Sequence, residues 1–223
     1  MIPLKDDNPR RMWPITNYLL IAANIVVFIY QPPDLEAFSR IYGAIPQNIM
    51  QGMNLHTLFT AMFVHGNLMH LLGNMLYLWI FGDNVEGTMG HGRYFFFYLL
   101  CGLAATFSHI AIESSSQYPM IGASGAISGV LGAYLLKFPH ARVLILVPFF
   151  LLFRVPALVV LGIWFVMQLT SGLTSFQADV SGGVAWFAHV GGFLAGMVLV
   201  KLFERRQNFE RFRRQDAHWE DFE

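Results

Sequence analysis

The chain has 223 residues, of which 55% are hydrophobic and 13% charged, with 14 basic side chains balanced by 14 acidic ones. Soluble domains carry about 25% charged residues, so this composition, with a mean hydropathy of +0.49, excludes an ordinary water-soluble fold and predicts a single-domain, multi-spanning membrane protein. Zero net charge gives no bulk attraction to nucleic acid, and the single cysteine, Cys101, excludes an internal disulfide.

Residues 1–13 read as a polar cytoplasmic head with Lys5, Arg10 and Arg11. Residues 14–30 form a first span of about minimum length, closed by Gln31-Pro32-Pro33-Asp34. No small-residue cleavage site follows, so the segment reads as a retained span rather than a signal peptide, with no organelle transit sequence before it. Residues 41–81 contain no Asp, Glu, Lys or Arg, yet Gly43, Pro46, Asn48, Gly52 and Asn54 make the first part a poor spanning helix. Residues 31–66 are therefore expected to be a long interfacial loop with short helices between helices 1 and 2. The second span is expected over 67–81, ended by Gly82-Asp83, and the third over 93–112.

A run of small residues, Gly122-Ala123-Ser124-Gly125-Ala126-Ile127-Ser128-Gly129, opens the fourth span, which ends at Lys137. Such glycines weaken a soluble helix but let membrane helices approach closely. Residues 142–153 are apolar but too short to cross and contain Pro148, so they are expected to lie in the interface or against the bundle. Spans five and six follow over 156–173 and 182–200, and 204–223 is a charged, aromatic cytoplasmic tail. The fold class is an all-α membrane protein, a six-helix bundle over residues 14–203. Thirteen of its Lys and Arg residues fall on one side and Arg40 alone on the other, which predicts both termini in the cytoplasm.

Three polar side chains then share a depth. Ser124 lies 13 residues before Lys137, His70 13 before Asp83, and His189 12 before Lys201. At about 1.5 Å per residue, each is roughly 18–20 Å from the inner surface. Span four is too short to cross from Ser124, so the residues before it must dip into a protein-lined, wet cavity. Intramembrane polar groups around such a cavity mark a functional site, although each alone could be an interhelical hydrogen bond. Serine needs a base, and His189 is the candidate. No carboxylate lies within the expected spans, and Asp179 in the outer loop is a poor third member, so a Ser–His dyad is expected. His70 and Asn74, at i and i+4, share a helix face and can donate to a developing oxyanion, joined by the Ser124 N–H at a helix start. Gly192 and Gly196 form a small-residue stripe near His189 that lets span six close on span four.

At these residues the sequence resembles the rhomboid family of intramembrane serine proteases. The matches are Gly122-Ala123-Ser124-Gly125, Ala188-His189-Val190-Gly191-Gly192, and His65-Gly66-Asn67-Leu68-Met69-His70-Leu71-Leu72-Gly73-Asn74. Glu86, Gly90 and Arg93 match the family's Glu-x-x-x-Gly-x-x-Arg element. The resemblance implies Ser124 as nucleophile, His189 as general base and His70 and Asn74 as oxyanion donors. It also implies cleavage of transmembrane protein substrates near the outer face without cofactor or metal. Gly122, Gly125, Gly192, Gly196 and His65 would support the site, and Glu86 with Arg93 would form an inner ion pair joining spans two and three. Where some members place an aromatic ring one turn after the serine, this chain has Ser128, leaving Trp186, Phe187 or Phe193 to pack on the histidine.

Other features read as structural. His109 near the outer end of span three could reach the cavity, and Tyr94-Phe95-Phe96-Phe97-Tyr98 reads as an interfacial belt with lipid-facing packing. The short ends suggest a prokaryotic protein of the plasma or inner membrane, its site opening to the extracytoplasmic side. The competing function is an inactive rhomboid-like protein that binds membrane clients without cutting them.

Overall fold

The computed structural model describes residues 1–10, 12–147, 151–177 and 184–205. Helix α1 (Ile15–Tyr30) leads into three short helices, α2 (Leu35–Tyr42), α3 (Pro46–Met50) and α4 (Thr57–Thr60), and a 3-10 turn at Ala61–Phe63. Asp34 caps α2 by accepting from Ala37 N–H, and Pro46 begins α3, where its missing N–H costs nothing. The segment expected to be a loop with short helices is built that way. Then come α5 (Leu68–Met89), α6 (His91–Ile112), α7 (Ser124–Lys137), α8 (Ala157–Gln177) and α9 (Trp186–Phe203). By length and apolarity His91–Ile112, Ala157–Phe176 and Trp186–Phe203 could each cross a membrane, and Ile15–Tyr30 is a shorter apolar helix.

The fold is mostly helical but not all-α. Strand β1 (Ile2–Asp6) in the expected polar head pairs antiparallel with β2 (Arg142–Val147), which pairs antiparallel with β3 (Leu151–Pro156). Residues 142–153, expected as an interfacial apolar segment, thus fall largely in a β2–β3 pair; Pro148 lies outside the described residues. The reason is local: Arg-Val-Leu-Ile-Leu-Val is rich in β-branched residues, and Val143 and Ile145 point inward at period two. The carbonyls of Pro139 and Ala141 accept from the Leu158 and Ala157 N–H groups, satisfying two orphan donors at the start of α8.

α5 does not stop at Gly82-Asp83. It continues to Met89 because the polar groups of its last turns have partners inside the protein. Asp83 accepts from Arg10, and Asn84 Nδ2 donates to Asp6. Tyr134 Oη donates to the same Asp6 oxygen at 2.6 Å, so β1, α5 and α7 meet at one carboxylate. Burial pushes the Asp6 carboxyl up to about 6, against the lowering effect of the Tyr134 hydrogen bond. Gly90, at φ +79°, makes the sharp turn from α5 to α6.

The expected Glu86–Arg93 ion pair is not formed. Glu86 is fully buried and accepts from the Thr16 and Asn17 N–H groups at 3.0 and 2.8 Å, capping the start of α1; His91 is its other partner. Arg93 instead donates to the Phe203 and Glu204 carbonyls at the end of α9. Helix ends explain both choices: a carboxylate suits the positive N-terminus and a guanidinium the negative C-terminus. The aromatic cluster of α6 also divides. Tyr94, Phe97 and Tyr98 are fully buried, with Tyr94 Oη donating to Asn17 Oδ1, while Phe95 and Phe96 are exposed.

α7 is the central helix, packed against α5, α6 and α9. A Cβ at Gly192 would run into the Gly125 carbonyl, and one at Gly196 into the Gly129 carbonyl. The two backbones touch, which only glycine permits.

Candidate active site

Three elements converge on Ser124. Gly122 sits at φ +118°, and its N–H donates to the Ala61 carbonyl at 2.9 Å. That turn starts α7 at Ser124, so the serine's own N–H belongs to the first, unpartnered set of the helix. From α9, His189 Nε2 lies 2.8 Å from Ser124 Oγ. From α5, His70 and Asn74 reach the same place: a Cβ on Gly122 would lie 2.7 Å from His70 Nε2 and 3.6 Å from Asn74 Nδ2. Asn67 caps α5 by accepting from His70 N–H at 2.8 Å, which fixes His70 in the first turn.

The hydrogen bonds assign the ring protons. Gly66 N–H donates to His70 Nδ1 at 3.3 Å, so His70 Nε2 carries the proton and is a donor aimed at Gly122. His65 Nδ1 donates to the Phe63 carbonyl at 3.2 Å, leaving its Nε2 to accept from Asn74 Nδ2 at 2.9 Å. His65 is fully buried and holds Asn74 by one of its two amide protons, leaving the other available. Gly125 also meets α6, since a Cβ there would sit 2.7 Å from Ala105 Cβ.

His70, Asn74, Ser124, Gly125 and His189 line a cavity of about 760 Å³ that His109 and Glu113 also border. His109 Nε2 is 3.8 Å from Glu113 Oε2. Gly73 faces open space: nothing lies within 4 Å of an added Cβ. Ser128 Oγ donates to the Ser124 carbonyl at 2.6 Å. Two indoles take the missing ring's place. Trp164 lies 6.1 Å from the His189 ring at 37°, and Trp186 lies 6.3 Å away at 88°. Phe193 packs on Trp164 and Phe165 rather than on the histidine, and Phe187 points at Gly172 of α8. Asp179 lies outside the described residues.

The sequence reading missed one residue here. Gln168 of α8 is buried, and its Oε1 lies 2.7 Å from His189 Nδ1. An amide carries no charge to make it stand out as a partner for a base, as a carboxylate would. The residue count that joined Ser124, His70 and His189 would also have found it, because Gln168 is 14 residues after Arg154, the last charged residue before α8.

A family model described as the Rhomboid domain matches residues 52–206. Rhomboid protein 1, mitochondrial, of Saccharomyces cerevisiae is 27% identical over 206 residues, 90% of this chain and 56% of the yeast protein. Presenilin-associated rhomboid-like protein, mitochondrial, of Bos taurus is 32% identical over 130 residues, 57% of this chain and 34% of the bovine protein. Rhomboid protease GluP of Bacillus subtilis is 34% identical over 126 residues, 55% of this chain and 24% of that protein. The chain thus spans about half of the yeast relative and less of the others. Mitochondrial relatives overturn the expectation of a prokaryotic plasma-membrane protein, which rested on the short ends and the lack of a recognisable transit sequence.

Proposed function

The chain belongs to the rhomboid family, and from that membership we propose that it is an intramembrane serine endopeptidase acting on transmembrane protein substrates. The observation that carries this reading is the 2.8 Å contact between Ser124 Oγ and His189 Nε2 inside the cavity that His70 and Asn74 also line. His189 takes the Ser124 proton as Oγ attacks the scissile carbonyl. The oxyanion is met by His70 Nε2–H, the free Asn74 amide proton and the Ser124 N–H. His189 then returns the proton to the leaving amine, and water enters by the same route to release the acyl group. This chemistry needs no metal ion or cofactor.

Residues 14–203 make the protease unit, a six-span bundle with both termini on one side, flanked by the segments 1–13 and 204–223. The relatives' names suggest a mitochondrial membrane as its location. Substrates enter laterally between α5 and α8, which flank the cavity, past the open side of Gly73. A helix hides its carbonyls in its own hydrogen bonds, so segments with Gly or Pro near the membrane face, which unwind readily, are the expected class.

The test is cleavage of a single-span reporter in detergent, with fluorophosphonate labelling. Wild type should cut and label, whereas Ser124→Ala and His189→Ala should do neither. Cleavage by His189→Ala at the wild-type rate would refute the dyad. Folded wild type that neither labels nor cuts would favour a client-binding protein.

A further inference from the structure

We propose that Gln168 is the third member of the site, a positioning residue that sets the tautomer and orientation of His189 through Oε1. The proposal rests on the protease reading for its functional meaning, and on geometry for its substance. Trp164, Gln168 and Gly172 stand at i, i+4 and i+8 of α8 and form one stripe toward α9. Trp164 lies beside the His189 ring, Gln168 Oε1 meets its Nδ1 at 2.7 Å, and Gly172 admits Trp186 and Phe187, whose atoms would lie 3.2–3.3 Å from a Cβ there. The stripe fits around one imidazole.

The chemistry follows from the amide's orientation. With Oε1 toward Nδ1, the ring must carry its proton on Nδ1 and donate it, so Nε2 keeps a lone pair for the Ser124 proton. With the amide reversed, Nδ1 would accept and Nε2–H would face Ser124, a donor where a base is needed. An amide also suits the location. A buried amide costs far less to desolvate than a carboxylate and still offers an acceptor. That accounts for a base held without an acidic residue in the apolar run of α8. The other titratable groups facing His189 are His70 from α5 and His109 from α6, the latter beside Glu113; none of these approaches Nδ1 as Gln168 does.

The inference predicts a split between acceptor and bulk. Gln168→Leu keeps the volume and loses the acceptor; it should lower kcat about 10²-fold, the scale of a misplaced catalytic group, with KM and thermal midpoint near wild type. Gln168→Glu keeps an oxygen at Oε1 and should recover kcat to within about tenfold of wild type, on the same scale. Wild-type kcat in Gln168→Leu, or Gln168→Glu as slow as Gln168→Leu, would overturn the proposal. Should the Leu variant fail to fold, ¹⁵N NMR of His189 in the wild-type protein decides: protonation at Nδ1 supports it and protonation at Nε2 overturns it. If wild type is unlabelled by fluorophosphonate, the protease reading fails, while the NMR result still judges the Gln168–His189 bond by itself.

Discussion

At the residue scale, each polar group around Ser124 is held by a second group. His65 holds Asn74, Gly66 N–H holds His70, and Gln168 holds His189. A rigid donor is effective because it need not reorganise as charge develops. Asn74→Ala should therefore lower kcat about 10²–10³-fold with little change in KM, measured on the single-span reporter. A loss confined to KM would remove Asn74 from the oxyanion pocket. The sequence marked Ser124, His189 and His70 because polar residues at equal expected depth in apolar helices are conspicuous, and Asn74 because it shares a helix face with His70. Gln168 shares that depth, but an amide is not usually weighed as a partner for a base, and its direction depends on how α8 packs.

At the element scale, the separation of α7 and α9 controls the Ser124–His189 distance. Gly192 meets Gly125 and Gly196 meets Gly129, backbone against backbone, so neither contact can yield by a rotamer change. Gly196→Ala should destabilise the protein by about 1–3 kcal/mol, as overpacking does. It should also reduce cleavage, because a shift of about 1 Å at the reacting atoms can cost about 10²-fold. A thermal melt and the reporter assay on the same sample check both. Unchanged values in both would mean the helices do not approach as closely as these glycines require. The stripe was readable from spacing. The exchange of partners by Glu86 and Arg93 was not, since helix ends far away in the chain receive them.

At the scale of the whole molecule, the end of the bundle away from the cavity is tied together by Asp6. Its carboxylate joins β1 to Asn84 of α5 and Tyr134 of α7, with Asp83 and Asp7 as neighbouring charges. Burial raises its pKa from 3.8 to about 6. The folded state therefore binds this proton more tightly than the unfolded chain. Its contribution favours folding fully below pH 4, declines as pH rises toward 6, and is lost above that. The shift corresponds to about 3 kcal/mol. Asp6→Asn retains an oxygen to accept from Tyr134 and Asn84, so it should melt higher than wild type at neutral pH. The difference between the two should shrink as the pH falls from 6 to 4. A constant difference across that range would show that Asp6 does not titrate there.

Composition and hydropathy by themselves determined that this is a membrane-type, mostly helical chain, because apolarity acts locally along the chain, and the motifs around His70, Ser124 and His189 carried the resemblance to the rhomboid family. They also located the segment of short helices between α1 and α5. Only the tertiary structure decided the rest: that β1 reaches back to β2, that α5 runs through Asp83 and Glu86, and that Trp164 and Trp186 stand where Ser128 offers no ring. The physical reason is common to all three. A strand edge, a buried carboxylate and an unfilled space beside an imidazole are satisfied by whatever the fold brings near, and those partners are distant in sequence.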